Sequence, residues 1–184
     1  DLKNRDDAQA IVDALEGAIY WVDRVEKKKQ TRRPWPPFTT STMQQASAKA
    51  LGLPPKLTMR LAQQLYEAGL ITYMRTDSVN LSKMALAMAR EEVTRLYGEE
   101  YVKTRNFKTK AKGAQEAHEA IRPAGTNFRT PESLRGQLDS DQFRLYDLIW
   151  KRTIASQMSD AQLEKTTVTI GISTTTEKFV AIGE

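Results

Sequence analysis

Ile71-Thr72-Tyr73-Met74-Arg75-Thr76-Asp77-Ser78 is the stretch around which the chain is organised. It follows a helical pattern that stops at Gly69, and it sets a tyrosine two residues from an arginine. Alternate residues of extended backbone point to the same side, so Tyr73 and Arg75 are expected to share one face. A phenol is a weak nucleophile at its free pKa of about 10 and needs help to lose its proton. A guanidinium beside it stabilises a phenolate and holds phosphate oxygens with its forked donors. The pair suits attack on a phosphodiester. It also fits a buried strand tyrosine beside a surface arginine, which is the commoner use of these residue types.

Upstream of this stretch the pattern is helical. Thr39 to Thr42 offer hydroxyl N-caps for a helix ending near Leu51 and closed by Gly52. After Pro54-Pro55 a second helix is predicted over residues 57–68, with Leu57, Leu61 and Leu65 as its stripe. Two short helices around a Gly/Pro turn resemble a helix-turn-helix unit, although ordinary helix packing uses the same pattern. Gln63 and Glu67 lie four apart on one face, and Glu67 falls near the C-terminal end, where the helix dipole mildly disfavours an anion.

Outward from that core, residues 7–17 are predicted to be a helix stopped by Gly17, and residues 18–25 a strand. Residues 27–37, basic and then proline-rich, are expected to be a linker. Trp35 within it can stack on a base, but such a tryptophan more commonly anchors a linker to the domain surface. A third helix over 82–97 is expected to bury Leu81, Ala85, Met88 and Leu96. Residues 99–116 look like a mobile polar loop, and 131–138 and 139–158 like two further helices. The last of these carries an apolar face of Phe143, Tyr146, residues 148–150, Ile154 and Met158. Strands are expected over 163–172 and 178–182. A helical block bracketed by strands suggests an insertion into a β-rich domain. The expected class is α+β, mainly α with flanking β, divided as 1–38, 39–158 and 159–184.

Composition narrows the function. The 184 residues carry a formal charge of +5 and no cysteine, which excludes disulfides and thiolate metal sites. No apolar run approaches the roughly 20 residues that span a bilayer, and no signal-peptide pattern opens the chain, so a cytoplasmic protein without membrane contact is expected. The chain starts without methionine and reads as a piece of something longer. Basic residues cluster: nine Lys or Arg against Glu26 alone from Arg24 to Arg60, and five with no acid from Lys103 to Lys112. Such clusters attract polyanions by counterion release, though solvated basic loops look the same.

Four blocks now combine. ITYMRTDS at 71–78 resembles the active-site segment of the type IA DNA topoisomerases, most closely the bacterial topoisomerase I branch. TSTMQQAS at 40–47, AQQLYEAG at 62–69 and QEAHEAIRP at 115–123 resemble further blocks of that family, in its order. The resemblance implies a helical catalytic-tyrosine domain inserted into part of a β-arch domain. It implies that Tyr73 attacks one DNA strand and is joined to its 5′-phosphate, so that negative supercoils relax without ATP. Arg75 then stabilises charge on the scissile phosphate, and Glu67 resembles an active-site acid. His118, the single histidine, is implied as a phosphate contact; Thr72, Arg122 and Gln63 are further candidates for DNA contact. Arg122, before Pro123, can equally lock a loop. Ala124 departs from the family's usual Thr or Ser, which puts one hydroxyl contact in doubt. The family's Mg2+ belongs to an acidic domain, and no clustered Asp and Glu in a strand context occur here. Partners implied are single-stranded DNA and the remaining domains of the same enzyme, and the chain alone is expected not to relax DNA. The rivals are a non-catalytic helix-turn-helix DNA-binding module and, more remotely, a tyrosine recombinase, which a single histidine supports poorly.

Overall fold

The structure is a computed structural model that describes residues 4–107 and 118–184. Its Cα packing divides the chain into two compact units, Asp1–Arg32 with Ala161–Glu184, and Arg33–Asp160. Among the described residues there are five α-helices and one three-stranded antiparallel sheet, an α+β chain. None of these helices is long and apolar enough to cross a membrane.

In the first unit, helix α1 (Arg5–Ala14) opens on Asn4, whose side chain accepts from the Asp7 amide. Strand β1 (Tyr20–Arg32) pairs with β2 (Ala161–Ile172), which pairs with β3 (Thr175–Gly183). Here β1 corrects the expected linker: Lys27 to Arg32 are strand, matched residue for residue to Thr166 through Ala161. Backbone pairing does not require the apolar alternation that marks a half-buried strand, and nearly all of β1 is exposed. Trp21 sits opposite Gly171, where a Cβ would come within 2.3 Å of the indole. Only glycine admits that approach.

The second unit holds the helical core. Helix α2 (Thr40–Leu51) starts in a capping box made by Thr39 and Thr42 and ends at Gly52 with φ 69°. Helix α3 (Pro55–Glu67) begins with proline at its first position and buries Thr58, Leu61, Ala62 and Leu65. Helix α4 (Lys83–Tyr97) is capped by Ser82 and buries Ala85, Ala89 and Val93. Leu96, expected inside, is 40% exposed, because the buried stripe advances in steps of four from Ala85 and passes it by. Helix α5 (Ser140–Ser156) opens on an Asp139 capping box and buries Leu145, Tyr146, Ile149, Trp150 and Ile154. The helix expected over 131–138 is only a 3-10 turn, Pro131–Leu134.

Two loop expectations are also corrected. The stretch after α4 forms a 3-10 turn, Glu99–Tyr101, and Val102 bridges Met158. Arg105 belonged to the expected polyanion patch, yet it is 7% exposed and faces inward. Its guanidinium donates to the Ser156 carbonyl at 3.3 Å, to that of Met158 and to the Asp160 carboxylate. A cation placed on the last carbonyls of α5 satisfies orphan acceptors and opposes the helix dipole. The hydrogen bond from Lys103 and the charges of Lys103 and Arg105 hold the Asp160 carboxyl below its usual range. The remainder of the expected mobile loop, and the Gln115-Glu116-Ala117 part of its motif, lie outside the described residues.

Trp35 does not anchor its segment, being 73% exposed. Phe38 does. It is fully buried, its carbonyl accepts from the Ile121 amide at 2.8 Å, and Arg152 lies 4.1 Å above its ring. Burial lowers the Arg152 pKa. Truncating Phe38 leaves a cavity and a stranded guanidinium, so Phe38→Ala is expected to cost about 3–5 kcal/mol in urea unfolding. A loss below about 1.5 kcal/mol, typical of a tolerated core swap, would show that Phe38 is not an anchor.

Candidate functional site

The tyrosine segment is irregular backbone held on two sides. On one side, the Thr72 amide donates to the Arg122 carbonyl at 2.9 Å and the Ala124 amide to the Leu70 carbonyl at 2.9 Å, with Ile71 bridging Pro123. The Thr72 hydroxyl donates to the Ala120 carbonyl at 2.7 Å and accepts from the Arg122 amide at 3.0 Å. On the other side, the Thr40 hydroxyl donates to the Met74 carbonyl at 2.7 Å and accepts from the Thr76 amide at 2.9 Å. Met74, Thr76 and Ser78 are buried, whereas Tyr73, Arg75 and Asp77 are exposed. The extended segment thus puts the phenol and the guanidinium on one open face.

Two adjoining clefts meet at this face. One, of about 340 Å³, is lined by Tyr66, Thr72, Tyr73, Thr76, His118 and Glu119. The other, of about 430 Å³, is lined by Thr39, Thr40, Ser41, Arg75, Thr76, Asp77 and His118. Thr76 and His118 belong to both, so they form the wall between the tyrosine and the arginine. Tyr73 is 48% exposed, and the ring of Tyr66 meets it edge-on at 5.3 Å and 64°. Among the described residues, the Tyr73 hydroxyl, the Arg75 guanidinium and the His118 imidazole make no hydrogen bond or ion pair. Three polar groups stand open around one wall.

The other candidates are placed differently. Gln63 donates to Glu67 at 2.6 Å on α3, and neither residue lines the two clefts. The Thr72 hydroxyl is engaged by backbone, as above. Arg122 is 4% exposed; it donates to Glu119 at 2.5 Å and to the Pro123 carbonyl at 2.7 Å, and lies 5.8 Å over Phe128. It locks its loop.

Sequence reading missed Tyr66 and Glu119. Tyr66 lies in the AQQLYEAG block, and its place at the end of α3 was the available signal. Glu119 follows His118 and accepts both from Arg122 and from the Ser82 amide at 2.6 Å, the latter at the cap of α4. Burial raises the pKa of its carboxyl, but the bonds from Arg122 and Ser82 and the Arg122 charge outweigh burial and leave it below the ordinary 4.5. Among the described residues no three His, Asp or Glu side chains converge.

A lowered carboxyl pKa stabilises the fold above the ordinary value, and that stability disappears as pH falls through the folded value. Glu119→Gln is therefore expected to be less stable than wild type at pH 7, by about 1–2 kcal/mol after allowing for the part exposure of Glu119. The gap in denaturation midpoint should close below pH 4.5. A gap that persists unchanged in acid would show that the ionised pair is not its source.

The chain has matches among known proteins. A family model described as DNA topoisomerase matches residues 1–184. DNA topoisomerase 1 of Mycolicibacterium smegmatis is 54% identical over 166 residues, covering 89% of this chain and 18% of that protein. DNA topoisomerase 1 of Synechococcus elongatus is 49% identical over 185 residues, covering 100% of this chain and 20% of that protein. The solved structure of full-length topoisomerase I from Thermotoga maritima superposes with a TM-score of 0.76 at 38% identity, over 99% of this chain and 31% of that one. The chain spans about a fifth of the length of these sequence relatives. It belongs to the DNA topoisomerase family.

Proposed function

We propose that this chain is the tyrosine-bearing gate of a type IA DNA topoisomerase, which cuts and rejoins one strand through a 5′-phosphotyrosine. The observation that carries the reading is the open Tyr73 hydroxyl beside His118 and Arg75, on a segment otherwise fastened at both sides. In the forward step the Tyr73 oxygen bonds to phosphorus, the bond from phosphorus to the 3′-oxygen breaks, and the phenolic proton is lost while the leaving oxygen gains one. One phosphodiester replaces another, so resealing is the reverse step and no ATP is needed.

The roles of the side chains follow from where they stand. Arg75, with five N–H donors and no competing partner among the described residues, holds the charge that builds on the phosphate oxygens. His118, which lines both clefts, is a second donor to the phosphate. Tyr66 fixes the ring of Tyr73 through its edge contact. Glu67 stays the proposed active-site acid and Gln63 a proposed DNA contact, the two joined at 2.6 Å on α3. Thr72 and Arg122 act by holding the backbone of the site.

The Mg2+ implied by the family would be bound by residues of another part of the enzyme, and a bound divalent cation would add charge opposite the phosphate. DNA is the proposed substrate, single-stranded at the cleavage site, and the remaining domains of the enzyme are the proposed partners. We assign strand passage to the whole enzyme, and predict that this chain alone binds single strands weakly and does not relax supercoils.

The decisive experiment uses the full-length enzyme, Mg2+ and an end-labelled single-stranded oligonucleotide, followed by denaturation, proteolysis and peptide mapping. DNA should be found on the peptide that contains Tyr73 and be absent with Tyr73→Phe. Arg75→Ala should lower the cleavage rate by about 10²–10³ while changing oligonucleotide affinity far less. Equal losses of cleavage and binding would refute the role of Arg75. Absence of any adduct together with tight duplex binding would instead favour a helix-turn-helix module.

A further inference from the structure

We propose that Trp35 is a stacking platform for an unpaired base of the DNA strand, a contact separate from the Tyr73 clefts. It takes from the preceding section only that DNA is the ligand. Trp35 is 73% exposed, whereas Trp150, in the same unit, is 5% exposed. Single exposed apolar residues are ordinary, so exposure alone decides nothing. What sets Trp35 apart is how rigidly its backbone is presented. Pro34, Pro36 and Pro37 fix φ on both sides of it. The Pro36 carbonyl accepts from Arg152 at 3.4 Å, Pro37 is buried, and Phe38 is the fully buried anchor described above. An indole held out on a fixed backbone loses little freedom when a planar ligand covers it.

The surroundings select a nucleobase over a protein side chain. Arg33, two residues away, is exposed and has no hydrogen-bond or ionic partner among the described residues, so it is free for a phosphate. Protein-binding tryptophans sit within an apolar patch that excludes water. The nearest exposed large apolar residues in sequence are Val25 and Tyr66, so the segment itself presents only the indole and its flanking prolines. Every base has a π-face, which makes stacking tolerant of sequence.

Reach is sufficient as well. Thr39 lines the cleft that contains Arg75 and His118, and it lies four residues after Trp35. Four extended residues span at most about 14 Å, or roughly four bases at the duplex rise of about 3.4 Å per nucleotide. A strand lying in that cleft can therefore place a nearby base on Trp35.

The test measures binding of a fluorescein-labelled oligothymidylate, and of its duplex with oligoadenylate, to the full-length protein over a range of salt concentrations. Trp35→Ala should weaken single-strand binding by about 5- to 150-fold, and Trp35→Phe should retain most of the affinity. The salt slope should stay that of wild type, because stacking releases no counterions, and duplex affinity should not change. Thermal melting checks that the variants fold. Unchanged single-strand affinity in Trp35→Ala, the result expected if the indole serves a protein contact, overturns the proposal. So does a parallel loss for duplex and single strand. Adduct formation at saturating oligonucleotide should persist in Trp35→Ala. If neither wild type nor variant forms an adduct but the affinities differ as stated, the cleavage reading fails and the stacking site stands.

Discussion

The two-way hydrogen bond of the Thr72 hydroxyl, given to the Ala120 carbonyl and received from the Arg122 amide, is what the site depends on. Those partners lie 48 and 50 residues further along the chain. Closing a loop of that length has an entropic cost, and nothing in the local propensity of either segment would offset it. The bridges of Ile71 to Pro123 and of Phe38 to Ile121 extend the same seam. Three remote stretches, around residues 38, 72 and 121, therefore converge without forming a regular sheet. Buried backbone polar groups need partners wherever the chain goes, and here two threonine hydroxyls, of Thr40 and Thr72, supply what a sheet ladder would have supplied. The side chain of Tyr73 stays free because its neighbours do the fastening.

The contrast with the residues kept for structure is chemical. Tyr146 is buried, donates to the Arg129 carbonyl at 2.6 Å, and has its pKa raised by that burial. A phenol in that state is a hydrogen-bond donor and no nucleophile. Arg105 and Arg122 are likewise enclosed, their Nη donors turned onto carbonyls and the carboxylates of Asp160 and Glu119. Tyr73, Arg75 and His118 are treated in the opposite way, left exposed and unpartnered among the described residues. A buried polar group without a partner costs stability, which favours keeping such groups at the surface.

Helix ends were the most legible part of the sequence. Thr39, Gly52, Ser82 and Asp139 cap helices where side-chain chemistry says they should, because capping is a local bond over three residues. Alternation in 71–78 was legible for the same reason. Strand β1 beyond Val25 was not, since its pairing with β2 leaves both faces in water and no apolar period to see. Arg105 looked like one more cation in a basic run; its role is set by the end of a helix some fifty residues away. Glu119 and Tyr66 stood inside recognisable blocks, yet their contacts to Arg122, Ser82 and Tyr73 follow from tertiary packing. Of the site, the residues were legible and the division of labour between open and engaged groups was not.

The charges around the clefts constrain how DNA can be held. Glu119 lines the tyrosine cleft, but its bond to Arg122 makes the pair neutral, and its lowered pKa keeps the pair ionised near neutral pH. In the adjoining cleft Asp77 stands with Arg75. Directed hydrogen bonds favour one phosphate geometry over another, whereas a broad field favours any polyanion. Under the proposed function, directed bonds suit the discrimination of a reacting phosphate from its neighbours, and contacts outside the clefts add strand affinity. The exposed Arg33 and Trp35, a short span from Thr39, are proposed as contacts of that kind. In that proposal they bind the strand whatever its sequence, while the groups around Tyr73 act on the one bond that breaks.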